Sequence, residues 1–535
     1  MRRWNGWGDE KFSMATPESG LAFLNERVAA GAVLPDAQLA DVCEQVPASR
    51  LPRHELIMTD AQTRVRHARG QSLPDWLAMR SGDFGVFPDG VAFPESTEQV
   101  QALLKFAYEH DFDVIPYGGG TSVAGHINPL TSARAVLTVD MGHMNQLMEL
   151  NTESQIATFG AGTPGPQVEA QLRAKGYTLG HFPQSWELST VGGWVASRSS
   201  GQQSLRYGRI EQMFAGCTMV TPQGQLLVPT IPASSAGPDL REIVLGSEGR
   251  MGIISEVQVR VTPLAEEETF HAVFLPSFEH AKRAVRAIVQ AKIPLSMLRV
   301  SNGTETETQL KLAGHETLIK YLETYLSLRG CGQGKCLLTF GVTGNKAQNA
   351  LSLKQAMRVF RQEGGVRGPK MMGRKWAENR FKFPYLRENL WLAGYAVDTF
   401  ETATDWDNVT DLMNAMEDAV RTALKDEGIV PHVYTHLSHM YTQGCSIYTT
   451  YVYPNAESYG ETLARWQKIK HAASATLANG RATISHQHGV GKDHAPYLQA
   501  EKGVLGIELL KRVVSFFDPK RKLNPGTLLQ DNNEH

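Results

Sequence analysis

Between Gly118 and Gly252 the chain carries four glycine-rich segments in a fixed order, and each is flanked by strand-like sequence. The first, Pro116-Tyr117-Gly118-Gly119-Gly120-Thr121-Ser122, directly follows an apolar strand pattern. Consecutive glycines reach backbone conformations closed to other residues and turn several N–H groups to one side, a nest that holds a pyrophosphate without lysine. A side chain at Gly119 is expected to fill the pyrophosphate's space. The second segment, Gly160-Ala161-Gly162-Thr163-Pro164-Gly165, matches GxGxxG. It does not read as a Rossmann fingerprint, because no acidic residue follows about 20 positions on to bind a ribose; that stretch runs Tyr177 to Pro183. The third holds Ser189-Thr190-Val191-Gly192-Gly193-Trp194 and Ser197 to Gly201, small residues that suit close backbone approach to a planar ring. The fourth is Gly246-Ser247-Glu248-Gly249-Arg250-Met251-Gly252-Ile253-Ile254.

With 535 residues, the chain is long enough for two or three domains. Its 42% hydrophobic and 20% charged content is that of a globular protein, and a net charge of −2 without like-charged tails excludes a nucleic-acid partner from the expectations. Five cysteines, Cys43, Cys217, Cys331, Cys336 and Cys445, form no CxxC pair, which argues against a disulfide framework or zinc site and for a reducing cytoplasm. No apolar run is long enough to cross a bilayer, and residues 1–6 lack a signal peptide's apolar stretch; a peripheral membrane contact stays open.

Periodicity gives short helices and turns over 17–85 and then alternating strands and helices from Val86. Past Pro263, single strands are followed by long helices, including one read over Trp406–Glu427. That pattern fits an antiparallel sheet covered by helices, the α+β class. The divisions expected are a helical segment at 1–85, a cofactor domain at 86–264, a substrate or cap domain at 265–510, and a segment at 511–535 returning to the cofactor domain.

In order and spacing, the four glycine segments resemble the FAD-binding half of the p-cresol-methylhydroxylase type, a two-subdomain flavin fold. That resemblance implies FAD with its pyrophosphate on Gly118–Ser122. It extends the cofactor set to Pro116, Gly118, Gly119, Gly120, Thr121, Ser122, Gly162, His181, Ser189, Thr190, Gly192, Gly193, Ser197, Gly201, Glu248, Gly252, Ile253 and Ile254. Some relatives attach the flavin to a histidine after the paired glycines. Thr121 stands there, so non-covalent FAD is expected and His126 reads as a loop histidine.

Further segments resemble the alkyl-dihydroxyacetonephosphate synthases: Trp4-Asn5-Gly6-Trp7-Gly8, Gly180-His181, Phe400-Glu401-Thr402 with Trp406, Ile447-Tyr448, and Ser485-His486-Gln487-His488-Gly489-Val490-Gly491-Lys492. Those enzymes exchange the acyl group of an acyl-dihydroxyacetone phosphate for a fatty alcohol in ether-lipid synthesis, with the flavin as electron sink and no net redox change. The resemblance implies Arg299 as a core arginine near the flavin, Arg387 as the grip on an anionic group, Tyr448 as a catalytic tyrosine, and His486 and His488 as two members of a histidine motif. Gln487 replaces the middle histidine, and glutamine is no general base. The rival branch oxidises 2-hydroxy acids or glycerol 3-phosphate with an external electron acceptor, and binds a divalent metal. Tyr448 and Gln487 stand where its ligands would be, so no metal is expected. His488 is the base in either branch. A lipid-like or small anionic substrate and a homodimer complete the expectations.

Overall fold

A four-stranded sheet, a five-stranded sheet and a seven-stranded sheet frame the protein in its computed structural model, which describes residues 2–14, 16–314 and 316–531. The first has strand order Ile57–Met58, Gly90–Ala92, Val136–Asp140, Asp113–Tyr117, and its last three strands are parallel. Parallel neighbours need a crossover. Here the helix Thr97–Glu109 links Gly90–Ala92 to Asp113–Tyr117, the strands on either side of Val136–Asp140, and is started by the Ser96 side chain accepting from the Gln99 amide. Val100, Leu103, Leu104 and Ala107 recur at helical spacing and are buried in one cluster with Val114, Leu137 and Val139 of the sheet. The strand Ile57–Met58 comes from the stretch read as helices and turns alone, so that stretch contributes an edge to this sheet.

The second sheet is antiparallel throughout, in the order Leu147–Asn151, Ile156–Gly160, Ile253–Arg260, Phe214–Thr221, Gly224–Val228. Antiparallel pairing on both sides of Ile156–Gly160 agrees with the rejection of a Rossmann unit, which needs a parallel sheet. The helix after it spans Gly165–Arg173.

All paired neighbours in the seven-stranded sheet are antiparallel. Its order is Val366–Arg367, Glu267–Leu275, Cys336–Gly344, Met297–Ser301, His432–Met440, Gly444–Pro454, Tyr395–Asp405. The helix Phe278–Gln290 covers one face with Ala281, Ala284, Val285, Ile288 and Val289, and the helix Val409–Thr422 adds Leu412, Met413, Met416 and Val420. This second helix is shorter than expected. The preceding strand continues to Asp405, and the Trp406 indole donates to the carbonyls of Tyr441 and Thr442, which holds it to the sheet's end. Lys425–Glu427 is a separate 3-10 turn. The fold class is α+β, as the sequence suggests.

After the helix Leu498–Phe517 the chain returns to the first two sheets. Leu523 bridges to Val114, and Asn524 donates to the Glu248 carbonyl.

Candidate active site

A cavity of about 500 Å³ lies among the three sheets. Its first wall is backbone. The loop after Asp113–Tyr117 brings Gly118–Ser122 against residues 188–190 so closely that a Cβ on Gly119 would lie 1.8 Å from the Leu188 carbonyl oxygen. This corrects the expectation for Gly119: its missing side chain makes room for protein backbone. Gly120 has φ +68°, a conformation that glycine adopts without strain. Opposite, Thr190 caps the helix Val191–Ser197, and the Gly192 amide donates to the Ala161 carbonyl. Two buried hydroxyls on this wall, of Ser200 and Ser247, have no hydrogen-bond partner. A nest of glycine amides, a helix start and orphaned hydroxyls fit the phosphates and polar ring edges of an extended dinucleotide.

Most of the sequence-derived cofactor residues line this wall, and three stand behind it. Gly162 packs on the Met141 carbonyl. His181 is buried beside Trp194, its Nε2 3.1 Å from Ser199 Oγ, and burial pushes its pKa down to about 3. The Gly201 carbonyl accepts from His439 Nε2 at 3.1 Å. Two side chains on the wall are committed to protein. The Ser197 hydroxyl donates to the Gly193 carbonyl, and the Glu248 carboxylate accepts from the amides of Val490 (2.6 Å) and Gly491 (2.8 Å). Glu248 thus braces the turn after His488. It also lies 3.2 Å from His126 Nε2, whose Nδ1 is 2.6 Å from Ser122 Oγ, so both ring nitrogens of His126 face protein.

The second wall is one face of the seven-stranded sheet. Directly opposed residues of antiparallel strands point the same way. The register pairs Glu401 with Tyr448, Tyr448 with His436 and His436 with Ser301. One row across four strands therefore collects a carboxylate, a phenol and an imidazole, and Thr399, Arg299 and Tyr434, two positions away on their strands, share that face. Tyr448 stacks on His436 with centroids 4.7 Å apart and donates to Thr399 Oγ1 at 3.2 Å. Burial pushes its phenol well up, so Tyr448 stays protonated at neutral pH.

The two arginines differ. Arg299 forms an ion pair with Glu305 at 2.7 Å and lies 3.0 Å from His436 Nδ1. Arg387 sits on the helix Phe383–Leu392 and donates Nη1 to the Gln71 carbonyl at 2.7 Å. Its guanidinium stacks on Trp76 at 4.5 Å, and its Nε and Nη2 are buried without a partner. Phe383, Leu386 and Leu390 lie on the same helical face, all on the cavity. The N-terminal segment clasps this helix through Arg3–Glu388 at 2.8 Å, and Trp7 reaches the cavity. Sequence reasoning missed Gln71 and Trp76 as neighbours of Arg387. Nothing in the sequence around Trp76 sets it apart from a core aromatic, and only folding stacks it under a cation.

His488 lines the cavity and His486 does not. His486 Nδ1 lies 3.0 Å from Glu401 Oε1, and its Nε2 faces Tyr441 Oη at 2.6 Å and Arg209 Nη1 at 3.0 Å. Burial pushes the His486 pKa down to about 4. Burial also lowers that of His488, against the opposing pull of Glu401. Glu401 is fully buried. Burial alone would raise its pKa, but the surrounding histidines, His486 first, outweigh this and hold it well below the carboxylate range. Glu401, His439 and His486 are the trio among the described residues whose ligand atoms lie close enough to share a cation. Guanidinium nitrogens only donate, so Arg209 makes His486 Nε2 an acceptor and puts the ring proton on Nδ1, leaving no lone pair toward Glu401. The trio does not offer three ligands.

Two family models match the chain: "FAD binding domain" over residues 88–228 and "FAD linked oxidases, C-terminal domain" over 264–528. An alkyldihydroxyacetonephosphate synthase of Dictyostelium discoideum is 28% identical, over 98% of this chain and 93% of that protein. A solved alkyldihydroxyacetonephosphate synthase superposes with a TM-score of 0.83 at 26% identity, covering 98% of both chains. p-Cresol methylhydroxylase shares the fold, with a TM-score of 0.66 at 14% identity over 94% of this chain and 100% of that one. The chain is an FAD-dependent, alkyldihydroxyacetonephosphate-synthase-like enzyme of the FAD-linked oxidase type.

Proposed function

We propose that this protein exchanges the acyl chain of an acyl-dihydroxyacetone phosphate for a fatty alcohol, with FAD held non-covalently. The observation that carries this reading is the helix Phe383–Leu392. One face of it offers a buried guanidinium with two free nitrogens and, beside it, Phe383, Leu386 and Leu390. A phosphate on a long apolar chain matches both features, since guanidinium forks pair with phosphate oxygens and apolar walls bury methylenes. Leu312 and Trp376 extend the apolar lining. Phe383 and Leu392 remain exposed on that helix, which supports a peripheral contact with a lipid surface.

The pyrophosphate of FAD would lie on Gly118–Ser122 and the start of the helix Val191–Ser197. When bound, the flavin supplies an electron sink beside the reacting carbon. His488, neutral at pH 7 because burial lowers its pKa, takes a proton from the carbon next to the substrate carbonyl and later returns it. Tyr448, protonated and held beside Thr399, turns its single phenol proton from Thr399 Oγ1 to the substrate. The bond from that carbon to the acyl oxygen breaks and the fatty carboxylate leaves, the alcohol oxygen bonds to the same carbon and gives up its hydroxyl proton to balance the carboxylate, and no net electrons are transferred. Non-covalent attachment is supported by Thr121 after the glycines and by the engagement of His126 with Ser122 and Glu248.

Anaerobic titration tests the reading. With palmitoyl-dihydroxyacetone phosphate and hexadecanol, palmitate release without any electron acceptor is expected, and acid precipitation should free the flavin into solution. Lasting flavin bleaching by a 2-hydroxy acid or glycerol 3-phosphate, reversed by a quinone and without acyl exchange, would replace it by a dehydrogenase.

A further inference from the structure

Behind the cavity wall lies a carboxylate with no assigned task. Glu401 has a side chain of 0% exposure on the strand Tyr395–Asp405, and its two oxygens are used unequally. Oε1 lies 3.0 Å from His486 Nδ1, 3.4 Å from Ser438 Oγ, and 3.7 Å from His439 Nδ1. Oε2 has no hydrogen-bond partner and lies 3.8 Å from His488 Nε2. A buried carboxylate oxygen left unpaired costs several kcal/mol, so its orientation needs a cause.

The cause lies further back. Arg209 donates Nη1 to His486 Nε2 and Nη2 to the His486 and Arg198 carbonyls, each at 3.0 Å, and is paired with Glu211 at 3.0 Å. Tyr441 Oη meets the same Nε2. These donors fix the His486 tautomer with its proton on Nδ1, which donates to Glu401 Oε1. His439 is fixed in the other sense, since its Nε2 donates to the Gly201 carbonyl. With Oε1 taken, Oε2 is left for His488.

We propose that Glu401 is the positioning residue of this site: its Oε2 holds the proton of His488 on Nε2 and leaves Nδ1 as the basic nitrogen, while His486 and Arg209 fix the carboxylate from behind. The carboxylate also stabilises the imidazolium that forms when Nδ1 takes a proton, the role a buried acid plays behind a catalytic histidine. Lys470, Asp398, His126 and His494 also act on His488 electrostatically, and Tyr448 packs edge-on against it at 5.9 Å. Around Glu401 stand His436, His439, His486, Tyr441 and Tyr448. None of these except Glu401 offers His488 Nε2 an anionic oxygen within 4 Å.

The inference rests on His488 being the base, and the experiment separates the two. In the FAD-loaded protein, the His488 titration midpoint is read by NMR of labelled histidine, assigned from its loss in His488→Asn, and substrate turnover is measured across pH. Glu401→Gln should lower the midpoint by about one unit or more, a roughly tenfold loss of proton affinity. It should cut the plateau rate by about 10²–10³-fold and shift the acid limb the same way. The double variant Glu401→Gln/His488→Asn should be no slower than His488→Asn alone. An unmoved midpoint, or rate losses that multiply in the double variant, overturns the inference. Should Glu401→Gln fail to fold or to hold flavin, Glu401→Asp decides. Its carboxylate sits one methylene further back, so a lowered midpoint with about a tenfold slower rate supports the role, and unchanged values overturn it. Near-normal turnover by His488→Asn sinks the base assignment itself; a slow His488→Asn beside an unaltered Glu401→Gln sinks only the role of Glu401.

Discussion

The two walls of the cavity are built by opposite means. The wall from Pro116 to Ile254 is backbone amides, glycines and small hydroxyls, and Glu248, the acid on it, is spent on the amides of Val490 and Gly491. The wall from the seven-stranded sheet is side chains: Arg299, Tyr434, His436 and Tyr448, with His488 at the edge. A backbone wall recognises a group of constant shape, and its specificity lies in how closely segments approach. A side-chain wall can be changed one residue at a time without moving the chain. Cofactor binding and chemistry should therefore fail separately when each wall is altered.

The largest effect should come from the backbone wall. Gly119→Val drives a branched side chain into the Leu188 carbonyl and separates the 118–122 loop from the 188–190 segment. Complete loss of bound flavin is expected, read from the visible spectrum of the purified protein. Full flavin content would show that the two segments need not meet. On the other wall, His488→Asn should keep flavin and unfold at a similar temperature while slowing turnover by about 10²–10⁴-fold. Flavin loss in that variant would break the separation of the walls.

The arginines sharpen the contrast within the side-chain wall. Arg299→Ala leaves Glu305, whose side chain is 4% exposed, with only His436 Nδ1 at 3.1 Å as a charge partner, so its signature should be stability. A loss of about 3 kcal/mol in denaturant unfolding is expected, the lower part of the range for a broken buried pair because Arg299 is partly exposed. Arg387→Ala frees no buried acid. It should raise KM for an anionic substrate by about 10–100-fold, the worth of one or two charged hydrogen bonds, with Arg387→Lys between it and the parent because the fork is lost but the charge kept. A stability loss for Arg387→Ala with unchanged KM would reverse the two roles.

The smallest effect concerns pH. Burial depresses His488 below its ordinary 6.5, and the neutral ring is the active form. Turnover should thus be nearly flat above about pH 7 and fall only below pH 6.5, as His488 gains a proton. A limb centred above pH 7 would assign the proton step elsewhere.

The glycine segments made the cofactor half legible, because a turn that only glycine can enter is written in the sequence itself. The same local code misled at Gly119, where the tight neighbour is the Leu188 carbonyl, 69 positions away. His181, His486 and Gly201 shared their motifs with cavity residues yet face protein, since a motif records proximity along the chain and not which way each side chain turns.

Once Tyr395–Asp405, His432–Met440 and Gly444–Pro454 are known as strands, alternation gives which residues share a face of each, for the side-chain period of a strand is local. It could not tell that Glu401 lies opposite Tyr448 and Tyr448 opposite His436, because register is set by packing and by bulges such as the one between Leu437 and Met440. Nor could it tell that Glu401 is wholly buried and turned toward three histidines, or that Arg387 rests on Trp76 while Arg299 is neutralised by Glu305. Which charges are paired and which are left free depends on distances between segments far apart in sequence, and only the tertiary structure sets those distances.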